Sequence, residues 1–197
     1  MKRRITAAER RRRIVDAAIE WFAKDGYDRA SVDQIAVSAG VTKPVVYDHF
    51  ESKEAIFVSA LEIIRDTLLA MGAEVARSTS DPKKRLKMTL STFFDFIEEK
   101  PLSARVLILG SKGPPSIEAA CKRVQAQATE GIARLIKAGQ SSPRSRKVEG
   151  RTLLLTAEFV KKGMHGLAEW WLDHPEVQRK EVESVLLDVL RNGIGLH

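Results

Sequence analysis

Apolar side chains recur along most of the chain at intervals of three and four residues, the spacing of one face of an α-helix. The first such face runs from Ile14 to Phe22, and Thr6 with Glu9 forms a capping-box pattern that predicts where its helix begins. A glycine, Gly26, predicts its end. Because no strand-like alternation and no internal repeat are found, the pattern predicts an all-α protein of about nine helices.

Two short helices are predicted next, followed by a long one. Ser31 and Gln34 form a second capping box, and Gly40 ends the short helix that follows them. Thr42 can cap a third helix, and Ser52 can cap a long fourth one. Two short helices joined by a tight glycine turn form the helix-turn-helix arrangement, whose second helix can enter a DNA major groove. Other helical hairpins share this spacing, so the spacing alone leaves DNA binding open.

The later helices are marked by proline and by loop composition. Asp81-Pro82 begins one helix, Lys100-Pro101 begins another that is predicted to end at Gly110, and a loop at 113–115 precedes a third. Residues 139–150 have loop composition and precede a long helix. The turn at 173–175 leads into the last helix.

The long helix before residue 173 carries an apolar seam that begins at Leu153 and advances by alternating steps of four and three residues. A 3.5-residue repeat is typical of helix bundles. With the apolar last helix, this seam can form a dimer interface, and the alternative is a core within one chain, which must account for part of it. The candidate interface residues are Val160, Met164, Leu167, Trp171, Val182, Val185 and Val189.

Charge adds a hint about the partner. The 197-residue chain has 33 basic and 26 acidic side chains, a net charge of +7. Residues 1–13 alone carry seven bases and one acid. A basic end suggests a polyanion such as nucleic acid or a membrane surface, and a solvated tail is the alternative. The single cysteine, the lack of an apolar run of about 18 residues and the lack of a secretion signal predict a cytoplasmic protein that does not span a membrane.

Several other function classes lack support in the sequence. There is no Gly-rich phosphate loop, no metal-ligand spacing and no nucleophile elbow, so we expect no enzyme, no metal and no cofactor. A membrane-surface protein would need an amphipathic N-terminal helix with bulky exposed apolar residues, and this sequence lacks that pattern. A helical ligand carrier, whose helix-turn-helix is structural only, remains the alternative, although a carrier has no need for so basic an N-terminus.

Residues 9–60 together resemble the N-terminal domain of the TetR family of bacterial repressors. The shared pattern is Ala17-Ala18-x-x-x-Phe22-x-x-x-Gly26-Tyr27, then Ser31-Val32-x-x-Ile35-Ala36-x-x-Ala39-Gly40-Val41-Thr42, then Tyr47-x-His49-Phe50-x-Ser52-Lys53-Glu54. The resemblance implies a three-helix DNA-binding domain at 1–52 and a helical effector-binding and dimerisation domain at 53–197. It also implies a homodimer on a palindromic double-stranded operator, most simply a repressor released by a small apolar or amphipathic ligand.

The resemblance also implies which side chains contact DNA. Tyr47, His49 and Lys53 match phosphate-contact positions, whereas Lys43 and Val45 match base-reading positions. In the first turn of the fourth helix a lysine opposes the helix dipole, which suggests that something other than helix stability favours it. Hydroxyl groups before the two short helices can donate to phosphate or act as N-caps, and the basic arm can reach the backbone or minor groove. The remaining candidates are therefore Arg3, Arg4, Ser31 and Thr42.

Two positions depart from the family pattern. Val45 is larger than the residue that is common there and can alter sequence preference. Asp48 places a carboxylate where aromatic, polar or basic residues are common. A carboxylate facing DNA repels phosphate or accepts a hydrogen bond from cytosine N4. It can instead pair with a nearby lysine or arginine.

Aromatic side chains in the second half of the chain are candidates for an effector pocket, although such helices more often form core. His165 and Glu158 lie seven residues apart, on one helix face, and can supply polar anchors for a ligand. The ligand-lining candidates are Phe93, Phe94, Phe159, His165 and Trp170.

Overall fold

The computed structural model describes residues 5–108, 114–140 and 148–192, which form nine helices and no strand. None of the helices in this described part is long and apolar enough to cross a membrane. The predicted helix end at Gly110 and most of the predicted 139–150 loop lie outside the described residues. The helices are α1 (Ala7–Arg29), α2 (Val32–Ala39), α3 (Lys43–Tyr47), α4 (Lys53–Ser78), α5 (Pro82–Glu99), α6 (Pro101–Ile108), α7 (Pro115–Gly139), α8 (Gly150–Leu172) and α9 (Arg179–Asn192).

The two predicted capping boxes are confirmed. Thr6 Oγ1 accepts from the Glu9 backbone N–H at 3.1 Å, and Glu9 Oε2 accepts from the Thr6 N–H at 2.7 Å. Ser31 and Gln34 exchange the same two bonds at 3.2 and 2.9 Å. Gly40 ends α2 with φ 68° and ψ 34°, a left-handed conformation that glycine adopts without steric cost. The turn between α2 and α3 is therefore set by local sequence.

One local prediction is confirmed and one needs correction. Gly26 ends the first helical run of α1, because the backbone breaks there with φ 74° and ψ 174°, and a further helical segment follows it to Arg29. Thr42 does precede α3, but its side chain makes no capping hydrogen bond. Pro44 at the start of the helix has no N–H to donate to such a cap, which removes one of the two usual partners.

The first of two compact units comprises the chain up to Arg65 together with Leu102–Val124. Its core includes three aromatic rings. Phe57 of α4 packs edge-on against Phe22 at 5.0 Å and against Tyr27 at 5.3 Å between ring centroids. This packing joins α4 to α1, so the unit is larger than the 1–52 segment. The domain division at residue 52 stays a prediction.

The second compact unit comprises Asp66–Pro101 and the chain from Gln125 onward. Within it, α9 packs against α5 and α8. Phe94 of α5 is fully buried and meets Trp171 of α8 edge-on, with 5.7 Å between the ring centroids. Arg179 at the start of α9 pairs with Asp95 of α5, which joins the two helices by an ion pair as well as by apolar packing.

Candidate nucleic-acid interface

The short helix α3 buries one side chain and exposes its opposite face. Val46 is fully buried, and Phe50 just beyond the helix is buried as well. Lys43 is exposed, Val45 is half-buried, and Tyr47 is 46% exposed. The first turn of α3 and its last residue therefore offer polar groups to the outside of the helix-turn-helix.

The two candidate hydroxyl groups differ in their engagement. Ser31 Oγ accepts the Gln34 backbone N–H, so its oxygen already serves the N-cap of α2. Thr42 is exposed, and its hydroxyl makes no capping bond. Accepting a hydrogen bond leaves the Ser31 O–H as a donor, so either hydroxyl group can donate to a phosphate oxygen.

Lys43, the first residue of α3, is held by an acidic side chain that the sequence had not singled out. Its Nζ donates to Asp33 Oδ2 of α2 at 2.9 Å. The hydrogen bond from Lys43 to Asp33, together with the charge of that carboxylate, raises the pKa of Lys43 and keeps the ammonium charged. Both side chains are largely exposed, so the pair lies on the surface of the helix-turn-helix.

Lys53 has a different set of partners from the phosphate that the family pattern implies. Its ammonium donates to the backbone carbonyls of Tyr27, Asp28 and Ala30 at 2.8, 3.3 and 3.0 Å. It also lies 4.4 Å from the centroid of the Tyr27 ring. These carbonyls belong to the C-terminal end of α1, where a cation is electrostatically favoured. All three ammonium protons are engaged, so in this conformation none is left for a phosphate.

The arginines at the start of α1 differ in what their side chains contact. Arg11 lies over the Phe50 ring at 4.1 Å and donates to Ser59 Oγ at 3.0 Å, so it joins α1 to α4. Arg12 is exposed and reaches Asp16 at 3.9 Å. The predicted arm residues Arg3 and Arg4 lie outside the described residues. An arginine run alone gives no signal of which member packs on an aromatic ring.

Tyr47 and His49 are brought together at one cleft of about 570 Å³ in the first unit. The cleft lies where α3 meets the beginning of α4, and its other walls include several acidic side chains. The remaining lining residues are Arg11, Asp48, Phe50, Glu51, Ser52, Glu54, Ala55, Val58, Ser59 and Glu62. Among the described residues, no group of three or more His, Cys, Asp or Glu side chains is arranged to hold a metal ion.

The effector candidates of the second unit are only partly brought together. Phe93 stacks on the His165 ring at 6.0 Å and meets Phe94 edge-on at 5.3 Å. Burial, with the nearby charges of Lys161 and Lys162, lowers the pKa of His165 to about 4. The imidazole is therefore neutral at physiological pH and sits in an aromatic, largely buried setting.

Phe159 and Trp170, the other two ligand-lining candidates, are on the surface. Phe159 is 66% exposed and Trp170 is 46% exposed. Trp170 stacks with His174 at 3.9 Å, at the end of α8. Helix periodicity places these two aromatic side chains on the outer side of α8, away from its buried stripe, and their role in ligand binding stays a prediction.

The buried stripe of α8 follows the predicted seam only in part. Ala157 and Met164 of the seam are buried, but so are Lys161 and Ala168 outside it, whereas Val160 of the seam is half-buried. Lys161 is only 2% exposed. A lysine in an apolar sequence is normally predicted to face solvent. The position of Lys161, one helical turn after the buried Ala157, is the signal in the sequence that it faces the core.

Hydrogen bonds explain how that lysine is accommodated. Lys161 Nζ donates to the Gln125 carbonyl at 3.0 Å and to Thr129 Oγ1 at 2.6 Å, and it pairs with Glu158 at 2.8 Å. Burial opposes ionisation of Glu158, but the bonds from Lys161 and Thr129 lower the pKa of Glu158 overall. The buried ammonium is therefore matched by a charged carboxylate, as a buried ion requires.

The candidate interface residues divide between the chain's own core and its surface, and the dimer interface stays a prediction. Met164 and Val182 are buried within the chain, and Trp171 packs on Phe94, so these side chains form core rather than a free face. Leu167 and Val189 are half-buried. The candidate Val185 is 54% exposed, and the other exposed apolar side chains of α8 and α9 are Leu154, Leu155, Phe159 and Trp170.

Comparison with known proteins covers both units. Residues 14–60 match the family model of bacterial regulatory proteins of the tetR family, and residues 82–193 match that of the tetracyclin repressor-like C-terminal domain. The HTH-type transcriptional activator FasR of Mycolicibacterium smegmatis is 33% identical over 188 residues, which cover 93% of this chain and 82% of FasR. The uncharacterized HTH-type transcriptional regulator YdgC of Bacillus subtilis is 34% identical over 95 residues, which cover 46% of this chain and 49% of YdgC.

Solved structures show the same fold. The transcriptional regulator FadR from Bacillus subtilis, in complex with stearoyl-CoA, superposes with a TM-score of 0.80 at 20% identity, covering 93% of this chain and 98% of FadR. The fatty acid degradation regulator FadR from Bacillus halodurans has a TM-score of 0.78 at 20% identity, covering 92% of this chain and 96% of that protein.

Proposed function

Because the chain belongs to the TetR family of bacterial transcription regulators, we propose that it is a repressor that binds a palindromic operator as a homodimer and is released by a fatty-acyl effector. The observation that carries the DNA-binding part is the outer face of α3. Thr42 and Tyr47 present hydroxyl groups there, and Lys43 and Val45 lie between them at the start of the helix. The first residues of a recognition helix contact base edges, and flanking hydroxyl groups contact phosphate.

Selection of binding sites from random double-stranded DNA by the purified protein, followed by footprinting and a salt titration, tests this function. We expect a palindrome whose half-sites are about one helical turn apart, and an affinity that falls steeply as salt rises. Failure to enrich any sequence, together with weak binding at all salt concentrations, would refute sequence-specific regulation. That result would favour the ligand-carrier alternative.

A matched pair of tyrosine variants tests the phosphate contact. The chain has two tyrosines, of which Tyr47 is exposed on α3 and Tyr27 is buried in the aromatic core. Tyr47→Phe removes one hydroxyl and is expected to weaken binding by a similar factor on all sites, without changing the selected sequence. Tyr27→Phe removes a hydroxyl elsewhere in the domain and is expected to leave affinity unchanged. Equal effects of the two variants would argue against a phosphate contact at Tyr47.

The homodimer is proposed on the outer face of α8. Leu155, Phe159 and Trp170 are exposed there, and helix periodicity puts Gly163 and Gly166 on the same side. A Cβ at either glycine would meet nothing within 4 Å, so the middle of this face is flat enough for a second helix to approach closely. Contiguous exposed apolar side chains of this kind mark protein–protein interfaces.

Molar mass from light scattering tests the dimer. The variant Phe159→Glu places a charge in the middle of the proposed interface and is expected to give monomers. Val37→Glu is the matched control, because Val37 is also an exposed apolar residue but lies on α2, far along the chain from α8. A Phe159→Glu protein that remains fully dimeric would refute this interface.

The effector is proposed to be a long-chain acyl-CoA or the corresponding fatty acid. One support is the fold that this chain shares with FadR from Bacillus subtilis, which was solved in complex with stearoyl-CoA. The other is the buried aromatic setting of Phe93, Phe94 and the neutral His165. A 100-fold loss of operator affinity requires the ligand to favour the DNA-incompetent state by about 2.7 kcal/mol. Titration of the operator complex with acyl-CoAs of increasing length, with free coenzyme A as the control, measures this release. Unchanged or tighter operator binding would refute release by this ligand class.

A further inference from the structure

The ion pair between Lys43 and Asp33 has a consequence for which base pairs the protein selects, and this inference rests on the proposed DNA-binding function. Lys43 begins α3, and Asp33 lies in the first turn of α2, ten residues earlier in the chain. Their polar atoms are 2.9 Å apart, and the side chains are 48% and 67% exposed. An exposed pair of this kind contributes little to folding stability, so its effect on stability does not explain it.

Pairing changes what Lys43 can do on DNA. A free lysine attracts any phosphate, because its flexible stem lets the ammonium reach many acceptors. With Asp33 beside it, the two charges cancel at long range and add little to non-specific attraction. The ammonium retains protons that can be donated, and the carboxylate, which uses one oxygen for Lys43, retains free lone pairs. The pair therefore offers a donor next to an acceptor.

A G·C base pair offers the complementary arrangement in the major groove. Guanine presents two acceptors, N7 and O6, and cytosine presents the N4 donor. Guanine O6 and cytosine N4 are hydrogen-bonded to each other, so they lie about 2.9 Å apart. That separation equals the distance between Lys43 Nζ and Asp33 Oδ2. An A·T pair offers the same donor–acceptor separation between adenine N6 and thymine O4, so the distance alone does not favour G·C. The difference is that guanine N7 and O6 are adjacent acceptors for the ammonium, whereas adenine N7 and thymine O4 lie on opposite sides of the N6 donor, with the thymine methyl group next to O4.

We propose that Asp33 is a specificity-determining residue, which holds Lys43 toward guanine O6 and N7 and itself accepts a hydrogen bond from cytosine N4 of the same base pair. Without Asp33, Lys43 would donate to any acceptor. With Asp33, the two side chains together recognise one G·C pair in each operator half-site. A role in helix stability alone, as an acidic residue near the positive end of the α2 dipole, would leave the selected sequence unchanged.

Binding-site selection with the wild-type protein and the variants Asp33→Ala and Lys43→Ala tests the proposal. We expect the wild type to select G·C at one position of each half-site, with a preference of about tenfold over other pairs. Asp33→Ala should lose this preference at that position alone. It should also make the salt dependence steeper, by about one unit of slope per freed lysine. Lys43→Ala should lose the preference at the same position.

The matched control is Glu20→Ala, which also removes an acidic partner from an exposed lysine. Glu20 pairs with Lys24 on α1 at 2.6 Å, within the same compact unit. This variant should leave the selected sequence and the salt slope unchanged. Thermal unfolding of each variant checks that it is folded before selection.

Three outcomes would overturn the proposal. If Asp33→Ala selects the wild-type sequence at every position, Asp33 does not read DNA, although the proposed regulator function stands. If Asp33→Ala and Lys43→Ala alter different positions, the two residues do not read one base pair. If the wild-type protein enriches no sequence, the proposed function fails together with this inference.

Discussion

Replacing Lys53 with methionine separates two roles that the sequence could not distinguish. Methionine keeps most of the apolar stem but removes the ammonium that bonds the carbonyls of Tyr27, Asp28 and Ala30. Two of these bonds are part-buried, and hydrogen bonds to a charged group contribute at least about 1.5 kcal/mol each. The loss of ring contact adds about 0.5 kcal/mol, and the recovered side-chain entropy offsets about 1 to 2 kcal/mol. We therefore expect Lys53→Met to lower the free energy of unfolding by about 2 kcal/mol.

Urea denaturation and a salt titration of operator binding together provide the assay. If Lys53 caps α1, the variant loses stability, amide exchange at the Ala30 N–H accelerates because its bond to the Gly26 carbonyl lies at the affected end, and the salt slope is unchanged. A phosphate-binding lysine would instead reduce the slope by about one per lysine, with stability preserved.

The matched control is Lys24→Met, an exposed lysine of α1 whose partner is Glu20. Removing such a surface pair should cost at most about 1 kcal/mol. An unchanged unfolding free energy for Lys53→Met, combined with a reduced salt slope, would show that the reasoning about Lys53 is wrong.

Three further variants test the fold. Gly40→Ala should lower the free energy of unfolding by about 1 to 2 kcal/mol, measured by urea denaturation, because the φ of 68° is left-handed. An added Cβ would meet nothing within 4 Å, so backbone strain is the expected cause, and an unchanged stability would refute it. Gly131→Ala gains about 1 kcal/mol in helix propensity, but its methyl would lie 2.5 Å from Cδ2 of the half-buried Leu69, which must shift, so urea denaturation should show less than this gain. The substitution should gain more stability in a Leu69→Ala background, and additive effects would contradict the contact. The folded protein lowers the pKa of His165 to about 4, so as pH falls through about 6.5 the unfolded chain binds this proton first. Between about pH 7.5 and 5.5 the free energy of unfolding of the wild type should therefore fall by about 1.3 kcal/mol more than that of His165→Phe. Parallel curves of unfolding free energy against pH for the two proteins would refute this burial.

Local features of the sequence predicted the local structure well. The capping boxes at Thr6 and Ser31, and the left-handed turn at Gly40, depend on residues within four positions of one another, so their hydrogen bonds can be inferred from spacing alone. The burial of Val46 follows in the same way from the apolar period. Thr42 departs from this rule, and Pro44 removes one of the two N–H groups that such a cap could use.

Contacts between distant residues could not be predicted in this way. Lys53 meets carbonyls that lie 23 to 26 residues earlier in the chain, and Arg11 meets Ser59 across 48 residues. Backbone carbonyls leave no mark in a sequence, since every residue has one. A lysine in the DNA-binding part of such a chain therefore reads as a phosphate contact until the tertiary structure shows what its ammonium touches.

Helix α8 shows why a polar residue can misdirect the prediction of a buried face. The predicted apolar seam passes through Val160 and leaves out Lys161, although Lys161 itself belongs to the buried stripe. The predicted seam and the buried stripe share Leu153, Ala157 and Met164. They differ where the seam continues through Val160, next to the buried Lys161. The outer face carries Phe159 and Trp170, two of the ligand-lining candidates. Glu158 lies three residues before Lys161 on the same helix, a spacing that a sequence shows, whereas Thr129 lies on α7 and could be recognised as an acceptor only in three dimensions.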